Sequence, residues 1–157
     1  MSFFSYNIYL NPSKVNQFRK TLRHVKNIVL RRKNKERSLY DLTDKEDNVK
    51  PKTIVFESFG GKNYSDSPKY IYEYMQKYYP NYRYIWSFKN PDKNVVPGSA
   101  EKVKRNSAEY YQAYSEASHW VSNARTPLYL NKKENQTYIQ TWHGTPLKRL
   151  ANDMKVV

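Results

Sequence analysis

From Lys52 onward the chain alternates short β-branched and aromatic runs with helical segments, and this rhythm restricts the fold more than any other feature. "KTIVFESF", Lys52 to Phe59, is β-prone throughout and is followed by "GGKNYSDS", a loop with two of the four glycines. Pro68 suits the first turn of the next helix, which carries Tyr70, Ile71, Tyr74, Met75 and Tyr78 as its apolar face. "YRYIWSF" is a second strand and "EKVKRN" a short third. "SAEYYQAYSEAS" is a helix with Ser107 as its N-cap. "HWVSNA" and "TYIQTW" are further strands, and a last helix opens at Thr145-Pro146. Strands alternating with helices imply βαβ units, hence an α/β domain around a mostly parallel sheet.

The N-terminal third follows a different pattern. Ser13 to Arg37 holds ten basic residues and one acid, Glu36. Val15, Phe18, Leu22, Val25 and Val29 recur at spacings of three and four, which makes one apolar stripe on a basic helix. Such a helix can lie on an anionic membrane, or it can pack its stripe on its own domain. "ERSLYDLTDKEDNVKP", Glu36 to Pro51, is polar and ends in proline, so it reads as a linker. The expected organisation is therefore a helical extension and linker over 1–50 and an α/β domain over 51–157.

Net charge is +14, from 28 Lys plus Arg against 14 Asp plus Glu. Such an excess favours anionic partners: nucleic acid, acidic lipid or phosphorylated substrates. The 16 tyrosines suit base stacking, but equally the edges of a small core. No RNA-recognition aromatic motif, zinc spacing or clear helix-turn-helix accompanies them. The chain has no cysteine, which excludes disulfides and thiolate metal sites, and no cluster with metal-ligand spacing is visible. No run approaches the roughly 18 apolar residues of a spanning helix, and the N-terminus lacks the features of a signal peptide.

In open α/β sheets ligands bind beyond the carboxyl ends of the strands. Those ends deliver Glu57, Ser58, Gly60, Gly61 and Lys62 from the first strand, Ser122, Asn123 and Arg125 from "HWVSNA", and His143, Gly144 and Thr145 from the last. Gly144 permits a sharp turn. Thr145 can cap the following helix and Pro146 pre-sets its first turn. A helix N-terminus suits a phosphate, and Lys148 and Arg149 add charge beside it. An imidazole next to an anion site is suited to act as general base in phosphoryl transfer; a capping or core histidine without chemistry is the competing reading. His24 and His119 have no such setting.

"IVFESFGGKNYSDSPKYIYEYM", "WVSNARTPLYL" and "YIQTWHGTPLKRL" resemble, in order, motifs of the CDP-glycerol glycerophosphotransferase family, the teichoic acid primases and polymerases of Gram-positive bacteria. The resemblance runs from about Lys52 to the C-terminus. It implies the Rossmann-like, acceptor-facing half of a glycosyltransferase-B-like enzyme, which transfers glycerol phosphate from CDP-glycerol to a lipid-linked teichoic acid acceptor. It implies that His143 is the base or an acceptor-site residue. Lys148 and Arg149 are then expected to hold acceptor phosphate, with Gly144 and Thr145 beside them, and Lys62, Asn123 and Arg125 to line the acceptor cleft. No cofactor is expected beyond the donor substrate, which the family binds mainly in a second domain. Because the chain stops soon after the HGT motif, that domain is expected to be missing, the chain to be truncated and inactive alone, and the donor domain on a separate chain is a further candidate partner. The other expected partners are the lipid-linked precursor and an anionic membrane surface, at the cytoplasmic face of the plasma membrane, and not nucleic acid. The alternative is a non-enzymatic basic module that binds anionic membrane or nucleic acid.

Overall fold

The computed structural model describes residues 12–44 and 48–142, with 12–16 as backbone only. The described elements are α1 (Pro12–Thr43), β1 (Lys50–Glu57), α2 (Asp66–Tyr78), β2 (Arg83–Phe88), a 3-10 turn (Pro91–Lys93), β3 (Glu101–Lys104), α3 (Ala108–Glu116), β4 (Ala117–Ser122) and β5 (Thr137–Gln140). The strands form one sheet in the order β3-β2-β1-β4-β5, and every neighbouring pair is parallel. This is the expected α/β, Rossmann-like architecture. The last helix, at Thr145-Pro146, lies outside the described residues.

Alternation along the strands divides the core into two layers. Val55, Ile85 and Trp120 point to one face and pack with Tyr110, Tyr111 and Tyr114 of α3. Ile54, Phe56, Tyr84, Trp86, Phe88 and Val121 point to the other and pack with Tyr72 of α2. Tyrosine thus fills core as well as surface. Two of the buried hydroxyls reach carbonyls: Tyr84 donates to Tyr79 O at 2.6 Å and Tyr40 to Asn131 O at 2.8 Å, whereas Tyr110 Oη has no hydrogen-bond partner.

Two local expectations are corrected. The polar stretch read as a linker from Glu36 is helical to Thr43, because Leu39 and Tyr40 bury against the α3 side of the sheet. The compact units accordingly divide between Ser38 and Leu39. In α2 the buried face is Pro68 and Tyr72, flanked by Ile71 and Met75. Tyr70, Tyr74 and Tyr78 are exposed, and the rings of Tyr74 and Tyr78 contact each other at 4.6 Å on the outer stripe. Counting aromatics as core rotated the expected face, because tyrosine stacks at the surface as readily as it packs inside.

In unit 1, Phe18, Leu22, Val25 and Val29 of α1 are 64, 52, 51 and 47% exposed. No helix among the described residues is long and apolar enough to cross a membrane.

At the amino ends of the strands an ionic ladder closes the sheet. Glu116 Oε2 accepts from Lys50 Nζ at 2.7 Å and Arg83 NH1 at 3.4 Å, and Arg83 also pairs with Glu101 at 2.7 Å. Arg83, Glu101 and Glu116 border a cavity of about 470 Å³ with Glu109 and Gln112. Burial opposes ionisation of Glu116, but the hydrogen bonds from Lys50 and Gln112 win and hold it below its ordinary 4.5. The hydrogen bonds from Arg83 do the same for Glu101. A depressed carboxylate stabilises the fold above its unfolded pKa and loses that contribution as pH falls through the folded one. Urea unfolding should therefore show stability falling as pH drops below about 4.5. Glu116→Gln should flatten that acid limb, at a neutral-pH cost of about 1 kcal/mol, since Lys50 and Arg83 are largely exposed.

Candidate functional site

The strand order reverses between β1 and β4, and open α/β sheets bind ligands beyond the carboxyl ends of such a switch point. The β1–α2 loop starts there. Phe59, Gly60 and Gly61 follow one another in the left-handed region, at φ of 46, 62 and 76°. This lets Ser58 O accept from both Gly61 N at 2.9 Å and Lys62 N at 3.2 Å. Gly61 O then accepts from Lys89 N at 2.7 Å, which ties the loop to the end of β2. A Cβ on Gly61 would come within 3.0 Å of Lys89 N and 3.2 Å of Phe88, whereas one on Gly60 would meet nothing within 4 Å.

Asn123 holds the other side. It is 0% exposed; its Oδ1 accepts from Phe59 N at 2.7 Å and its Nδ2 donates to Asp66 Oδ2. The end of β4 thus grips both the start of the β1–α2 loop and the first residue of α2. Asp66 places an acid in the first turn of α2, so that helix end does not recommend itself for a phosphate. On the far side of β4, Thr141 N donates to Ser122 O at 2.9 Å, which extends the β5 pairing to within one residue of Trp142.

A second polar cluster lies at the ends of β1, β2 and β3. Glu57 is fully buried, and its Oε2 accepts from Ser87 Oγ at 2.7 Å and Arg105 Nε at 3.2 Å. Burial pushes its carboxyl above the usual range, against the opposing pull of Arg105 and Ser87. Its Oε1 has no hydrogen-bond partner.

Of the residues singled out in the sequence, Lys62 and Arg125 are exposed on the two loops that meet at Asn123. Asn123 itself is spent on Phe59 and Asp66, so its geometry is that of a clamp behind the loop. His143, Gly144, Thr145, Lys148 and Arg149 lie outside the described residues. Sequence reasoning missed Arg105, Ser87 and Asp66. Reading the ends of β2 and β3 as well as β1, β4 and β5 would have found Lys89 and Arg105; Asp66 and Ser87 carried no such signal.

The family model for CDP-Glycerol:Poly(glycerophosphate) glycerophosphotransferase matches residues 39–157. The chain belongs to this glycerophosphotransferase family. The match begins at Leu39, where the second compact unit also begins. Similar relatives include the teichoic acid poly(glycerol phosphate) polymerase of Bacillus subtilis (strain 168), 46% identical over 69% of this chain and 15% of that protein. The teichoic acid glycerol-phosphate transferase of Staphylococcus aureus (strain NCTC 8325 / PS 47) is 40% identical over 66% of this chain and 27% of its own length. Among solved structures, a histidine-to-asparagine variant of the wall teichoic acid polymerase TagF soaked with CDPG is 99% identical, with TM-score 0.75 over 91% of this chain and 35% of that one. Against these glycerophosphotransferase relatives the chain spans between 15 and 35% of their length.

The site's glycines are not equivalent. Gly61→Ala should destabilise the domain by roughly 2–3 kcal/mol, from left-handed strain plus the backbone clash, and Gly60→Ala by about 1 kcal/mol. Denaturant midpoints of the two variants compare them directly; equal values would contradict the close approach to Lys89.

Proposed function

We propose that this chain is the acceptor-side part of an enzyme that transfers glycerol phosphate from CDP-glycerol to a lipid-linked teichoic acid chain. The observation that carries this reading is the meeting of the β1–α2 loop with the end of β4 at the switch point, in a chain whose family match covers both. The names of the relatives, polymerase and glycerol-phosphate transferase of teichoic acid, support the substrate class.

In the proposed reaction the acceptor hydroxyl attacks the β-phosphorus of CDP-glycerol. A new O–P bond forms, the bond to the CMP oxygen breaks, and CMP leaves. His143 takes the hydroxyl proton. Lys148 and Arg149 hold acceptor phosphate, and Lys62 and Arg125, exposed at the loops around Asn123, add positive potential on the approach. The donor is bound by the part of the relatives that this chain does not match. In a protein of the relatives' length bearing this segment, His143→Gln keeps a hydrogen-bonding group but no base, and should lower kcat by about 10²–10⁴-fold. Turnover near the parental rate would refute the base assignment. The 157-residue chain alone should release no CMP from CDP-glycerol with a lipid-linked acceptor. Donor and acceptor must be oriented together, which accounts for roughly 7–11 kcal/mol of barrier.

The exposed stripe of α1, with its ten basic neighbours, is proposed to rest on the anionic cytoplasmic face of the plasma membrane, where a lipid-linked acceptor is presented. Each cation near the surface contributes about 1 kcal/mol. Pelleting with phosphatidylglycerol vesicles should fall sharply for Leu22→Glu with Val25→Glu and should weaken in high salt; unchanged pelleting would exclude this surface.

A further inference from the structure

Arg105 leaves the carboxyl end of β3 with most of its side chain covered, 19% exposed. Two hydrogen bonds fix it. Its backbone amide donates to the carbonyl of Phe88, the last residue of β2, at 2.7 Å, and its Nε donates to Glu57 Oε2 at 3.2 Å. The guanidinium also stands 5.9 Å from the centroid of the buried Tyr110 ring, within reach of a cation–π contact. A guanidinium carries five N–H donors in a planar fork. The bond to Glu57 uses the one on Nε. Among the described residues nothing accepts from the four on the two Nη atoms, although donors so largely covered are ordinarily paired.

A second cation lies close by. Lys89 follows Phe88 at the end of β2, its amide tied to Gly61 O at 2.7 Å. Its side chain is exposed, and its charge reaches the Glu57 carboxyl. Both cations therefore gather around Glu57, at the carboxyl edge where open α/β sheets take ligands. Glu57 does not cancel them. One carboxyl faces two cations, and burial favours its neutral form. Contact through Nε also leaves the Nη1–Nη2 edge of the fork for another acceptor, and that edge matches two oxygens of a phosphate.

We propose that Arg105 and Lys89 form an anion subsite at the carboxyl ends of β2 and β3 that binds a phosphodiester of the acceptor chain, in addition to the phosphate assigned to Lys148 and Arg149. This rests on the acceptor reading above and deepens it. Arg105 is the bidentate ligand, and Lys89 adds charge beside it. Glu57 is the positioning residue, because its bond to Nε holds the guanidinium in place. A phosphodiester has one negative charge and two unesterified oxygens, which the fork engages together. The covered stem of Arg105 gives this subsite a fixed place on the sheet.

The test is calorimetry of this chain with two probes, a phosphodiester-linked glycerol phosphate trimer and CDP-glycerol. Arg105→Lys keeps a charge beside Glu57, and with it the fold, but has no fork; it should weaken the trimer roughly tenfold. Lys89→Ala should weaken it roughly threefold. Lys77→Ala removes the same charge from an exposed position on α2 and should leave binding unchanged. Glu57→Gln, whose amide oxygen still accepts from Nε, should bind as the parent does, whereas Glu57→Leu should lose about as much as Arg105→Lys. Parental affinity in Arg105→Lys would overturn the subsite and leave the acceptor reading standing. Equal losses for Lys77→Ala and Lys89→Ala would overturn it too, since the trimer would then respond to net charge alone. A loss confined to CDP-glycerol would give Arg105 to the donor and overturn the acceptor assignment. A parent that binds no trimer would overturn the subsite and the acceptor reading together.

Discussion

One buried amide organises the carboxyl edge of this sheet. Asn123, at the end of β4, accepts from Phe59 N and donates to Asp66, and so locks the β1–α2 loop across the point where strand order reverses. A buried amide left without partners would cost several times what a satisfied one contributes, so the clamp strongly favours one loop conformation. The left-handed run Phe59-Gly60-Gly61, the Gly61–Lys89 hydrogen bond and the exposure of Lys62 follow from it. The acceptor reading depends on this arrangement.

The two ends of the sheet use charge differently. At the amino ends, Lys50, Glu116, Arg83 and Glu101 form a partly solvated ladder, where pairing outweighs desolvation. At the carboxyl ends, Glu57 is fully buried and burial outweighs Arg105 and Ser87. Buried pairs of that kind contribute little net stability, yet removing one partner is costly. Glu57 therefore acts chiefly as an internal strut that joins the ends of β1, β2 and β3.

Much of the fold was legible in the sequence. β1, β2, β4 and β5 were visible as β-branched or aromatic runs, the charged β3 only as a short segment between loop and helix, and Ser107 was visible as a cap, which accepts from Tyr110 N as expected. The failures share a cause. The Leu39-Tyr40 pair sits in a polar stretch whose local composition says linker, and only packing against α3 makes it core. The tyrosines of α2 have the same composition on both faces, so only the position of Phe56 and Trp86 beneath decides that Tyr72 turns inward.

The site divides in the same way. The order of strands and helices, the polar character of the strand ends and the motifs ending in His143 are local properties, and the sequence by itself determined them, together with the family. Tertiary structure decided that Asn123 would be a clamp, that Arg105 would meet Glu57 across 48 residues of chain, and that Glu57, Ser122 and Gln140 would form one row across β1, β4 and β5. These are matters of register and burial between segments distant in sequence. No periodicity encodes them, because a parallel ladder sets which residues lie opposite only once the strands have paired.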